Sequence, residues 1–211
     1  MGHDSESRRH AEVLCLHTEA LDSFGRRVRA VAVNQWSVRT PCTGWTVRDL
    51  VNHLTAEQLW VPELLAGATI RQIGGRFDGD VLGADPAAAW TSAARAAHEA
   101  FNAPGAMAGR VNLSRGTTSA WDYCSQMAVD ATVHTWDLAR ATGGDTHLAP
   151  ELVDFALRQI EPRFGGLAAS GLFAPPVQVP ADADPQTKLL AKLGRRSIPQ
   201  HGMDPEQTGG G

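Results

Sequence analysis

The chain has 211 residues, a mass of 22.5 kDa and a formal net charge of −4, with 19 Lys+Arg against 23 Asp+Glu. At about 150 residues per domain this is one large domain, or one domain with an appendage, and its scattered rather than clustered basic residues argue against a nucleic-acid partner. No apolar run approaches the roughly 18 to 20 residues that span a bilayer, and residues 1–8 lack the apolar core of a signal peptide, so a cytoplasmic protein with no membrane partner is expected.

A polar tail is expected over 1–10, merging into an amphipathic helix whose pattern runs from about 6 to 33. Val13, Leu14, Leu21, Phe24, Val28 and Val31 recur there at three- and four-residue steps. Pro41 and Gly44 mark a turn. Thr46-Val47-Arg48-Asp49 then reads as a capping box, in which the Thr hydroxyl accepts an amide three residues on and the carboxylate reaches back. Val47, Leu50, Val51 and Leu54 give the helix that follows its apolar face. Residues 67–83 are glycine-rich and weakly periodic, which predicts a flexible connection. Within it, Gly74-Gly75-Arg76-Phe77 has neither the preceding strand nor the Lys-Ser/Thr end of a phosphate loop, and reads as a mobile loop near the bundle mouth. Asp85-Pro86 opens an alanine-rich helix over 87–101, and 102–116 reads as irregular. The longest pattern starts near Thr118, with Ser119-Ala120-Trp121-Asp122 as a second capping box, and stops at Gly143-Gly144. A helix over about 150–164, an extended stretch at 177–179 and a small helix over 185–193 complete the reading, and the polar residues 200–211 are expected to be disordered. No strand-forming alternation of useful length appears. Four long helices predict an all-α bundle over 11–199, with irregular connections and a short C-terminal extension.

Cys15, Cys42 and Cys124 are odd in number and lack CxxC spacing, which excludes a disulfide framework and a cysteine-rich zinc site. Cys42 and Cys124 remain candidate internal nucleophiles, although a small buried cysteine is the commoner role. The chain has eight histidines. His134 lies on the stripe Ala120, Cys124, Met127, Ala131, His134, Leu138, which steps by four and three toward the core. Asp130, one turn earlier, projects toward the same point. A carboxylate facing a bundle interior needs a partner or a metal, and an acid and a histidine one turn apart offer two metal ligands from one helix. His53, between Leu50 and Leu54, is positioned to supply a third, and Asp137 is a rival ligand or a group that orients the imidazole. The same spacing also fits an ordinary hydrogen-bonded Asp–His pair. His3, His10, His17, His98, His147 and His201 fall near the terminus, on polar helix faces or in loops, and Trp45, Trp121 and Trp136 read as core or pocket wall.

The stretch from Thr40-Pro41-Cys42 through Gly44-Trp45-Thr46-Val47-Arg48-Asp49-Leu50-Val51-Asn52-His53-Leu54 resembles a signature of actinobacterial proteins similar to the N-terminal domain of mycothiol-dependent maleylpyruvate isomerase, which are DinB-like metal-binding four-helix bundles. Asp130 and His134, followed by Trp136-Asp137-Leu138-Ala139-Arg140-Ala141-Thr142-Gly143, are similar to the family's second signature. The resemblance implies a DinB-like bundle with the metal triad His53, Asp130 and His134, holding Zn²⁺ or another divalent first-row ion, with glutamate replaced by Asp130. It implies a metal-dependent isomerase or thiol S-transferase that activates mycothiol or another small thiol toward a small-molecule electrophile. Two other expectations stay open: a metal-dependent isomerase, lyase or cyclase of secondary metabolism without a thiol cofactor, and a non-catalytic metal-binding protein. The expected state is a monomer or a homodimer.

Overall fold

The computed structural model describes residues 2–114, 116–161 and 175–197, and the chain divides into two compact units, Met1–Pro162 and Arg163–Gly211. In the first unit, helix α1 spans Gly2–Ala30. It begins upstream of the expected start, so residues 2–10 form its first turns rather than a tail. Its stripe of Val13, Ala20, Leu21, Phe24 and Val28 is buried, as the periodicity demands.

Helix α2 spans Val47–Leu65, and its capping box forms as expected, with the Asp49 carboxylate accepting from the Thr46 amide at 2.8 Å. The preceding loop doubles back through Gly44, whose φ of +82° lies in the left-handed region that favours glycine, so that Arg39 and Thr46 pair. The segment 67–83, expected to be mobile, is instead fastened to α2. It contains the short helix α3, Ile70–Ile73. Asn52 Nδ2 donates to the Gly79 carbonyl while Asn52 Oδ1 accepts from the Val81 amide, both at 2.8 Å. Arg48 pairs with Asp80 at 2.6 Å and also donates to the Gly83 carbonyl. Gly67, Gly74, Gly79 and Gly83 all have positive φ, so these glycines serve turns of a defined path rather than freedom of movement.

Helix α4, Pro86–Asn102, starts at its Asp85 cap. The region expected to be irregular holds a hairpin: β1, Arg110–Leu113, pairs antiparallel with β2, Gly116–Ser119. Helix α5 spans Ala120–Thr142 and ends at Gly143. Ser119 accepts from the Asp122 amide, but the Asp122 carboxylate accepts from the Ser119 hydroxyl, so the second capping box is only half formed. Helix α6 spans Pro150–Ile160.

The four long helices form a ring in which α1 packs on α4 and α5, and α2 packs on the same two. One core layer joins Val13 of α1, Val61 and Leu64 of α2, Phe101 of α4 and Met127 of α5. A second joins Phe24 of α1, Leu50 and Leu54 of α2, Trp90 of α4 and Leu138 of α5. Early α1 thus meets late α2 and late α4 but early α5, so α1 and α5 run one way and α2 and α4 the other. The architecture is an all-α, DinB-like four-helix bundle.

In the second unit, helix α7 spans Pro185–Lys192, and the Val177 amide donates to the Ala191 carbonyl, which holds the expected extended stretch to that helix. The end of the helix expected over 150–164 and the tail expected at 200–211 lie outside the described residues. Among the described residues, no helix is long and apolar enough to cross a membrane.

Candidate metal centre

Helix α2 carries His53 two turns after its cap, on the edge of the stripe formed by Leu50 and Leu54. Helix α5, antiparallel to it, presents Asp130 and His134 from one face. The three converge, with one ligating atom of each lying within 4.8 Å of the others. Asp130 stands between the two imidazoles: its Oδ2 is 3.5 Å from His53 Nε2 and its Oδ1 is 3.4 Å from His134 Nε2. Although aspartate is one methylene shorter than glutamate, the carboxylate reaches both rings.

Asp137 is fully buried and sits behind His134, its Oδ2 2.8 Å from Nδ1. A carboxylate there favours the proton on Nδ1 and turns the Nε2 lone pair toward Asp130, the arrangement in which a metal-ligating histidine is usually held. Cys42 Sγ donates to the same Asp137 oxygen at 3.3 Å and lies 3.8 Å from His134 Nδ1. Trp45 walls the site, its ring centroid 4.9 Å from that of His53 and 6.0 Å from that of His134.

Cys42, His134 and Asp137 thus form a second group with metal-ligand chemistry. Spacing separates the two groups. Ligand atoms about 2.0–2.2 Å from a tetrahedral ion stand roughly 3.3–3.6 Å from one another. Asp130 stands off at 3.5 Å from His53 through Oδ2 and at 3.4 Å from His134 through Oδ1, whereas 2.8 Å between His134 and Asp137 is a hydrogen-bond length. Both groups are candidate ion cradles, and in the second the His134–Asp137 contact also braces the ring of the first from behind.

Burial alone would lower the His53 pKa, but the hydrogen bond and charge of Asp130, helped by Glu57, outweigh it and leave the imidazole above its usual value. Burial raises the pKa of Glu57, and the charge of Asp130 raises it further against the pull of His53 and His134. Sequence reasoning missed Glu57. Its signal was available, because it follows His53 by four residues and so shares its face of α2.

The other candidates divide. Cys42 is beside the brace, while Cys124 is fully buried and its thiol is pushed up to about 12 by burial, so it stays protonated and is not a nucleophile. Trp136 is in the core, and Trp121 lies under the Arg9 guanidinium, 4.5 Å from its ring centroid. His17, expected on a polar face, is fully buried, because it stands four residues after Val13 and four before Leu21 on the inward stripe of α1.

Comparison with known proteins covers the same stretch of chain. The family profile described as the mycothiol maleylpyruvate isomerase N-terminal domain matches residues 17–139, more than half of the chain and the whole span of the site. The chain belongs to that family. Two Mycobacterium tuberculosis relatives, Rv0738 of strain H37Rv and MT0763 of strain CDC 1551, are each 33% identical to it over 186 residues, which cover 86% of this chain and 97% of theirs. Both are named only as uncharacterized proteins. No solved structure matches the chain. As a member of the mycothiol maleylpyruvate isomerase N-terminal domain family, it belongs to a group associated with metals and mycothiol, and its cradle is chemically suited to a metal.

Proposed function

We propose that this protein is a divalent-metal enzyme, with zinc as its ion, that activates mycothiol or a similar small thiol for isomerisation of, or transfer to, an electrophilic small molecule. The observation that carries this reading is the Asp130 carboxylate set 3.4 and 3.5 Å from two imidazole nitrogens, with the buried Asp137 orienting one of them from behind. His53, Asp130 and His134 would hold the ion, and a three-ligand set leaves a position for an exogenous ligand. The ion would supply Lewis acidity that lowers the pKa of an incoming thiol. Trp45 walls one side of the site. Glu57, whose carboxyl senses the charge of all three ligands, is the group available to take the thiol proton on its carboxylate oxygen.

The test is metal analysis of the purified full chain, followed by cobalt substitution and titration with mycothiol. About one ion per chain and a thiolate-to-cobalt charge-transfer band, seen with mycothiol and not with its S-methyl derivative, are expected. Protein that takes up no ion, or whose ion content survives His53→Ala and His134→Ala, would refute the reading.

A further inference from the structure

Six buried polar atoms in the first unit reach no partner at hydrogen-bond geometry among the described residues: Arg27 Nε and, on three other side chains, both ring nitrogens of His17, both amide atoms of Gln58 and the hydroxyl of Tyr123. The three side chains come from α1, α2 and α5, with His17 and Gln58 0% exposed and Tyr123 4% exposed. They are neighbours. Gln58 interacts with His17 as a side-chain hydrogen-bond partner that favours the charged ring, although no pair of their atoms reaches good hydrogen-bond geometry, and the Phe101 ring stands 5.0 Å edge-on from His17 and 5.7 Å from Tyr123. An unpaired buried polar group is costly, and native cores keep few of them. Leucine or phenylalanine at these positions would serve packing alone better than three polar groups whose hydrogen bonding is incomplete.

The cluster and the metal centre share helices α2 and α5. Gln58 follows Glu57, whose charge reaches the Tyr123 phenol on one side and whose own carboxyl senses Asp130, His53 and His134 on the other. Tyr123 precedes Asp130 by seven residues, two turns along the same face of α5.

We propose that His17, Gln58 and Tyr123 form an inner subsite of the metal centre that takes a neutral hydrogen-bonding group of the ligand, an amide or a hydroxyl, in place of water. The proposal rests on the function proposed above, since it gives that site its inner end. Charge selects the ligand class. Burial, aided by His98, lowers the His17 pKa to about 4, so the ring is neutral near pH 7, and burial also keeps the Tyr123 phenol protonated. No cation among the three meets a carboxylate or phosphate, and Glu57 repels one. The amide of Gln58 offers both donors and an acceptor, the Tyr123 hydroxyl a donor, and neutral His17 one of each, which complements an amide's carbonyl and N–H.

The test titrates the zinc-loaded full chain with acetamide and, separately, with sodium acetate, following the His17 ring C–H and Gln58 side-chain amide signals by NMR. Saturable shifts with acetamide and none with acetate are expected. Tyr123→Phe and Gln58→Leu should each weaken acetamide binding at least about fivefold while ion content is kept. Unmoved His17 and Gln58 signals in the wild-type protein overturn the proposal, whatever the variants do. So does unchanged acetamide affinity in both variants with lowered melting temperatures, which assigns the cluster to structural water. Because thiol coordination is not read, the two proposals fail separately: a response to acetamide without thiol binding removes only the function above, and thiol binding with a silent His17 removes only the subsite.

Discussion

Asp137 does more for the candidate centre than its place behind His134 suggests. It is fully buried, accepts from Cys42 and engages His134 at 2.8 Å, so the His134 ring is oriented by groups that are themselves held. Removing its charge while keeping its shape, as in Asp137→Asn, is expected to weaken zinc affinity about 10- to 100-fold, read by competition with a chromophoric chelator. His17 makes a different prediction. Its folded pKa of about 4 lies below the ordinary 6.5, so between those values the unfolded chain binds the additional proton. The stabilisation is whole above about pH 6.5 and is lost as the pH falls toward 4. Denaturant titrations at pH 7 and pH 5 should therefore show a loss on acidification larger in the wild type than in His17→Leu, by on the order of 2 kcal/mol. At this scale the sequence was readable where a chemical residue lay on an apolar stripe with a partner one turn away, as for Asp130 and His134. His17 and Glu57 lie on such stripes too, but their significance comes from neighbours on other helices, Gln58 and Asp130, which no single-helix spacing reports.

Among the elements, helix starts were legible because capping is local chemistry: Thr46 with Asp49 and Asp85 with the Ala88 amide both form as the residues require. The hairpin was not. Each strand has four residues, and only Val111 among them is buried, so no apolar alternation marks them. The path of 67–83 was equally hidden, since the side chains that fix it, Arg48 and Asn52, belong to α2. The contact between α1 and α4 depends on one missing side chain. A Cβ on Gly25 would stand 2.8 Å from Trp90 Nε1 and 3.3 Å from an Arg29 guanidinium nitrogen. Gly25→Ala in an open helix would gain about 1 kcal/mol, but here it is expected to destabilise by about 1–3 kcal/mol, measured by urea denaturation.

For the whole molecule, the antiparallel arrangement of α2 and α5 lets two early turns of one meet the middle of the other, so an ion in the cradle would fasten two helices that the chain separates by α3, α4 and the hairpin. Binding confined to the folded state must then raise stability. Zinc at about 100 times its Kd should add about 2.7 kcal/mol, and a chelator should reverse the rise in melting temperature. Acid should reverse it as well, because protons compete for His53, whose pKa stands above its usual value, and the zinc-dependent increment is expected to shrink on going from pH 7.5 to pH 6. The bundle class could be read from helix count and the family from two motifs, whereas the order of helices around the ring required packing to be seen. The brace behind His134 carries a kinetic consequence. With its ring already turned by Asp137, His134 has no rotation to make when an ion arrives. The rate of uptake should therefore follow how fast the incoming ion sheds its water, and should rank metals by their exchange lability rather than by their final affinity.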